Sequence, residues 1–187
     1  MYKLFLLFLP LYLFSWELHK ETDNIRIYIE HPPKFKFAQY KAQMLMPYSI
    51  QDISDTIMDY HSYTSWLSDC IQSDKVGEEV YILMSPPWPL SHRQVWATIE
   101  KIVSKQEHII RLNSIDANTS KHSGVWFTYL IAEFSLKAKG DLSTQVTLSL
   151  IGDPGGYPPA WLVNLMAWKI PYQSLYDLNN YLKISKP

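Results

Sequence analysis

A chain of 187 residues is one domain's worth and can bury a core without disulfide or metal staples. Its 17 Lys and Arg against 18 Asp and Glu leave a formal net charge of −1, so no basic field exists to hold nucleic acid and none is expected as a partner. Cys70 is the only cysteine, the six histidines form no HExxH or i, i+4 pair, and no GxSxG, P-loop or GxGxxG occurs, so no metal, cofactor or catalytic residue is expected.

Residues 1–15 carry one cation, Lys3, followed by an apolar run over residues 4–14, too short to span a bilayer but suited to a signal-peptide core. Export to the periplasm or the extracellular space follows as the expectation, with an uncleaved N-terminal membrane anchor as the alternative. The domain itself runs over residues 16–187. Residues 25–30 (IRIYIE) alternate as a strand that Pro32-Pro33 ends, and residues 35–46 form a second strand with Ala38, Tyr40, Ala42, Met44 and Met46 on one face. Pro47 stops that strand. Ser49 is placed as an N-cap, Asp52 complements the helix dipole, and Ile50, Ile53, Ile57 and Met58 follow a helical rhythm, with a second short helix or turn over residues 61–67.

Strands then recur at short spacing over residues 69–76, 80–84, 94–103, 108–115, 125–136 and 144–151. They are separated by turn signals such as Pro86-Pro87-Trp88-Pro89 and Lys139-Gly140-Asp141. Residues 113–124 are the one long polar loop, a candidate lid. The last strand runs into Asp153-Pro154-Gly155-Gly156-Tyr157-Pro158-Pro159, where glycines open the backbone and a proline suits a first helical turn. Asp153 is expected to satisfy backbone N–H groups in that turn rather than to act as an acid. Beyond it, Trp161, Leu165, Trp168, Tyr172, Leu175 and Leu182 recur with a helical period and predict one long amphipathic helix, bent between Ala167 and Pro171 by the interior proline.

The pattern predicts an α+β architecture: a curved antiparallel β-sheet wrapped around a long C-terminal α-helix. One helix is about 10 Å across and cannot fill the concave side of so wide a sheet, so a hydrophobic cavity is expected between them. The apolar phase of each element nominates its lining: Ala42, Met44 and Met46; Val95, Ala97 and Ile99; Phe127, Tyr129 and Ile131; and Leu162, Leu165, Met166 and Trp168. Each of these is as consistent with dry core. Arg93, at the start of a strand, offers a fork of donors that could orient a polar head group or cap a loop. Glu100 and Glu133 fall opposite the apolar phase and are expected in solvent.

Three stretches resemble a known family. Trp16-Glu17-Leu18 is followed by Asp23-Asn24-Ile25-Arg26-Ile27-Tyr28; Pro87-Trp88-Pro89-Leu90-Ser91-His92-Arg93-Gln94-Val95 is similar to a proline loop leading to Arg-Asp-Phe-Val; and residues 153–164 (DPGGYPPAWLVN) match the opening of a closing helix. Together they resemble the START domain, the steroidogenic-acute-regulatory-protein-related lipid-transfer family of the helix-grip, Bet v 1-like superfamily. The resemblance implies a helix-grip fold holding one lipid or other hydrophobic small molecule, transient membrane contact, and no cofactor or catalysis. Two departures stand out. Gln94 replaces the acid usual after the arginine, and Leu83 and Ile99 stand where some sterol-binding members place an acid–arginine pair, so sterol specificity does not carry over. A cyclase/aromatase-type enzyme on the same fold, or an interaction domain with a filled pocket, are the alternative readings. The nearly apolar inward phases disfavour the enzyme.

Overall fold

The computed structural model describes residues 16–33, 35–116 and 124–186. Ten strands form over them: β1 (Glu17–Thr22), β2 (Ile25–Glu30), β3 (Gln39–Met46), β4 (Cys70–Val76), β5 (Glu79–Met84), β6 (Arg93–Val103), β7 (Glu107–Ile115), β8 (Val125–Trp126), β9 (Tyr129–Gly140) and β10 (Ser143–Asp153). The helices are α1 (Ile50–Met58), α2 (Tyr63–Trp66), α3 (Ala160–Met166) and α4 (Lys169–Ser185), with a 3₁₀ turn at Tyr60–Ser62. The segment expected to direct export, residues 1–15, and residues 117–123 of the expected lid lie outside the described residues; Asn113, Ser114 and Ile115 belong to β7.

The strands make one sheet in the order β1-β2-β3-β10-β9-β7-β6-β5-β4, every neighbour antiparallel. β8 is the parallel exception: where β7 ends with Ile115 opposite Trp96, Val125 and Trp126 take up the flank of β6 beside Arg93 and Gln94. Sequence periodicity is silent on β1, because this polar, exposed edge strand has no apolar alternation. Its local signal is Asp23-Asn24, both at positive φ, which is the backbone a two-residue hairpin requires.

α1 starts where expected. The Ser49 hydroxyl accepts from the Asp52 N–H at 3.1 Å and donates to the Asp52 carboxylate at 2.6 Å. The concave face of the sheet buries Ile25, Ile27, Ala42, Met44, Met46, Phe134, Leu136, Val146 and Leu148 against Ile53 and Ile57 of α1, Tyr63 and Trp66 of α2, and Leu175, Leu178 and Leu182 of α4. Each of those α4 leucines is fully buried and contributes roughly 1.5–3 kcal/mol. The C-terminal half of the closing helix is thereby fixed over β2, β3 and β10. α3 buries no residue.

Two expectations are corrected here. The closing helix bends within the expected stretch, at Ala167 and Trp168 between α3 and α4, where the Ala167 carbonyl accepts from the Ile170 N–H at 3.2 Å; what is corrected is the face it turns inward. Its inward seam is offset from the aromatic stripe: Pro171, Ser174, Leu175, Leu178 and Leu182 are buried, while Trp161 and Leu165 are 69% and 63% exposed. The second correction concerns residues 125–136, expected as one strand. They break at Phe127 and Thr128, where the chain passes from β6 to β10: the Phe127 N–H donates to the Gln94 carbonyl at 3.1 Å and the Thr128 N–H to the Asp153 carbonyl at 2.9 Å. Because side chains alternate with a period of two, that interruption turns Leu130, Ala132, Phe134 and Leu136 inward instead of Tyr129 and Ile131.

Candidate functional site

Strand alternation and the offset seam of the closing helix leave a cavity of about 280 Å³ between the sheet and α3–α4. It opens where the α4 leucines no longer fill the concave side. Its sheet wall is Ile82 and Met84 of β5, Val95 of β6, Leu112 of β7, Leu130, Ala132 and Phe134 of β9, and Leu148 and Leu150 of β10. Tyr63, Trp66 and Leu67 close one end, the Pro86, Pro87 and Leu90 loop another, and Val163, Met166, Ala167 and Ile170 form the helical side.

The polar groups on this wall are few, and most are occupied. The Ser174 hydroxyl, on α4, accepts from the Ser68 N–H at 3.1 Å, tying the α2–β4 link to the helix. Tyr40 donates its hydroxyl to the Asn164 carbonyl at 2.6 Å, and the Asn164 side-chain oxygen accepts from the Ala38 N–H at 3.1 Å, so a two-bond latch holds α3 to the start of β3. Burial pushes the Tyr40 hydroxyl up to about 12 and raises the Asp69 carboxyl above the ordinary carboxylate range. Arg93 enters the wall because residues 93, 95 and 97 share the inward face of β6; its Nη1 donates to the Ser91 carbonyl at 2.7 Å, and desolvation lowers its pKa.

Of the residues nominated from the sequence, Arg93, Val95, Phe127 and Met166 stand together on the wall. The others lie elsewhere. Ala42, Met44, Met46 and Ala97 are buried in the filled part of the core, and Ile99 packs half-buried against it. Tyr129 is half-buried with its ring 6.2 Å from Phe35, and Ile131 is exposed, both turned off the inward phase by the β8–β9 break. Leu162 is half-buried and Leu165 exposed. Trp168 faces the β1 edge, with its ring 5.9 Å from His19 and 4.6 Å from the Lys20 ammonium. Sequence reasoning missed Tyr40, Ile82, Leu112, Leu130, Leu148, Leu150 and Ser174 as wall. Alternation marked Tyr40 as inward, but where the helix stops filling the sheet is a tertiary matter.

The departure at Gln94 has a local reason on the outer face. Gln94 is fully buried; its Oε1 accepts from the Tyr81 hydroxyl at 3.0 Å and its Nε2 donates to the Gly124 carbonyl at 2.8 Å. A carboxylate could accept from the tyrosine but could not donate to a carbonyl. Nearby, Tyr81, Leu83 and Trp96 form a second buried cluster with Ile115 and Trp126.

Among the described residues no group of three or more His, Cys, Asp or Glu could hold a metal ion, and no helix is long and apolar enough to cross a membrane. Cys70 is buried and its thiol is pushed up to about 11, so little of it is the reactive thiolate at neutral pH. Asp153 accepts from the Gly155 N–H at 2.9 Å, closing the turn before α3. Glu100 and Glu133 face outward, both paired with Arg111. The segments that contribute Pro87, Leu90, Pro154, Val163 and Met166 to the wall also carry Trp88, Tyr157, Trp161 and Leu165, which are exposed to solvent.

No protein-family model matches the chain. A Pseudomonas aeruginosa protein described as uncharacterized is 23% identical over 173 residues, covering 89% of this chain and 86% of that one. Among solved structures, the chain is similar to a STAR-related lipid transfer protein of Xanthomonas axonopodis, with a TM-score of 0.81 and 19% identity over 90% of this chain and 98% of that one. It is also similar to human StAR-related lipid transfer protein 5, with a TM-score of 0.83 and 10% identity over 92% and 88%. The fold is the START-type helix grip.

Proposed function

We propose that this protein binds one lipid-like hydrophobic molecule in the cavity between sheet and closing helix and carries it between membranes, without catalysis. The cavity carries this reading. It is partly open, lined almost wholly by aliphatic and aromatic side chains, and covered on one side by α3, which buries none of its residues. Transfer out of water into such a space supplies affinity at about 25 cal/mol per Å² of apolar surface covered. The names borne by the two solved lipid transfer proteins of the same fold support it further.

Ligand exchange needs a membrane within reach of the opening. Trp88, Tyr157, Trp161 and Leu165 are exposed apolar or amphipathic side chains on segments that also line the cavity, and such residues partition into a bilayer interface. The apolar run over residues 4–14 supports export, with action in the periplasm or outside the cell, or retention at a membrane through that segment.

The test is uptake by delipidated protein of the neutral fluorophore Nile red, followed by transfer of a fluorescent lipid between donor and acceptor vesicles. A saturable one-to-one site and protein-dependent transfer are expected. Absence of a saturable site sinks the binding reading; binding without transfer removes the carrier part alone.

A further inference from the structure

Among the described residues, Arg93 is the one strongly buried charge on the cavity wall, being 6% exposed. Its visible acceptors are backbone carbonyls of its own approach to β6, Ser91 at 2.7 Å and His92 at 3.5 Å from Nη1. Nε is buried with no acceptor, and none of the ion pairs among the described residues involves Arg93. A guanidinium stays protonated at neutral pH even when burial lowers its pKa.

Among the described residues, a full positive charge therefore faces an apolar cavity with only peptide dipoles beside it, an arrangement that costs stability unless an anion arrives. The other charged residues on the wall do not supply that anion. Lys169 has the same sign and is exposed. Asp69 precedes Cys70, which pairs with Met84, which pairs with Arg93. That places Asp69 two strands from Arg93, a backbone separation of roughly 10 Å. Tethering the loop through the Ser91 carbonyl would explain Nη1 but leaves the Nε edge without a purpose. That edge is one of the faces on which a guanidinium takes a carboxylate or phosphate through two parallel hydrogen bonds.

Size narrows the class further. At about 280 Å³ the cavity stands at the foot of the range for small-molecule pockets, which runs from roughly 300 to 1,000 Å³, and suits one alkyl chain better than two. We infer, resting on the lipid-binding reading above, that the ligand is a single-chain acidic amphiphile whose carboxylate or phosphate sits on the Nε edge of Arg93. Its chain would run along Val95, Leu112, Ala132, Phe134 and Leu148.

The experiment is displacement of Nile red from the delipidated protein at about pH 8, where both acids are ionised, by four ligands of equal chain length: hexadecanoic acid, hexadecyl phosphate, hexadecanol and methyl hexadecanoate. Each is kept below its aggregation threshold. The two acids should displace the probe at concentrations at least about tenfold lower than the alcohol and the ester, the low end for hydrogen bonds to a charged group. Whichever acid binds more tightly identifies the source of the head group. In Arg93→Gln the advantage of the acids should vanish, while Arg93→Lys, with charge but no fork, should keep part of it. If alcohol and ester match the acids in the wild-type protein, or the preference survives Arg93→Gln, the inference is overturned. Should Arg93→Gln not fold, the wild-type ranking of acid against ester decides alone. If Nile red itself finds no saturable site, the lipid-binding reading fails, and this inference with it.

Discussion

Asn164→Ala should unlatch α3. The substitution removes the acceptor of the Ala38 N–H, now 3.1 Å from Asn164 Oδ1, and leaves the backbone bond from the Tyr40 hydroxyl as the remaining half of the latch. Ala38 is buried, so in the closed state its N–H would have no partner, at a cost of about 1–3 kcal/mol. In the open state water reaches that N–H in wild type and variant alike, so the cost falls on closure only. The open population should rise by roughly 5- to 150-fold. α3 buries no residue that would oppose opening, whereas α4 stays fixed by Leu175, Leu178 and Leu182. Stopped-flow uptake and release of Nile red should both accelerate, and amide exchange along α3 should quicken by a similar factor, with the urea midpoint of global unfolding nearly unchanged. Unchanged rates together with a global midpoint lowered by the full cost would mean that Asn164 supports the fold and gates nothing.

Pro171→Ala restores an N–H that the Ala167 carbonyl could accept in place of its 3.2 Å bond from Ile170; it should stiffen the α3–α4 junction and slow uptake and release together, leaving affinity nearly unchanged, and wild-type rates would move the hinge elsewhere. Gly155→Ala should lower stability by roughly 3 kcal/mol or more in urea denaturation, because Gly155 has φ +69 and an added Cβ would collide with the Trp126 carbonyl; a loss under about 1 kcal/mol would show that the turn yields there. Tyr40, raised to about 12 by burial, and Tyr172, raised to about 12 first by its hydrogen bond to Asp23, hold their protons more tightly when folded than unfolded. Their contribution is therefore whole below about pH 10 and lost as pH rises towards 12, so urea midpoints should fall over that window, and less steeply in Tyr172→Phe; equal slopes would refute the assignment. Leu165→Asp should weaken association with vesicles, since Leu165 is exposed on α3, and retained vesicle binding would remove this helix from the membrane face.

The sequence by itself determined the elements whose causes are local. Ser49 caps α1, Asp153 closes the turn before α3, and alternation turned Tyr40, Ala42, Met44 and Met46 to one buried face, because caps, turns and strand alternation are set by neighbours a few residues away. The same locality made the turn before the closing helix recognisable as part of a helix grip. Only the tertiary structure decided which inward side chains meet the cavity. Ala42, Met44 and Met46 point inward as expected yet lie under the leucines of α4, while Leu148 and Leu150, one strand away, face the open space. The break at Phe127 and Thr128 reversed the phase of β9 where the chain passes from Gln94 of β6 to Asp153 of β10, both distant in sequence. On the closing helix the largest side chains suggested the wrong face, because a cavity is made by what is small: Val163, Ala167 and Ser174 leave room, and Trp161 stands in solvent. The isolation of Arg93 was also invisible in sequence, since a missing counter-ion is a property of every residue that could have approached and does not.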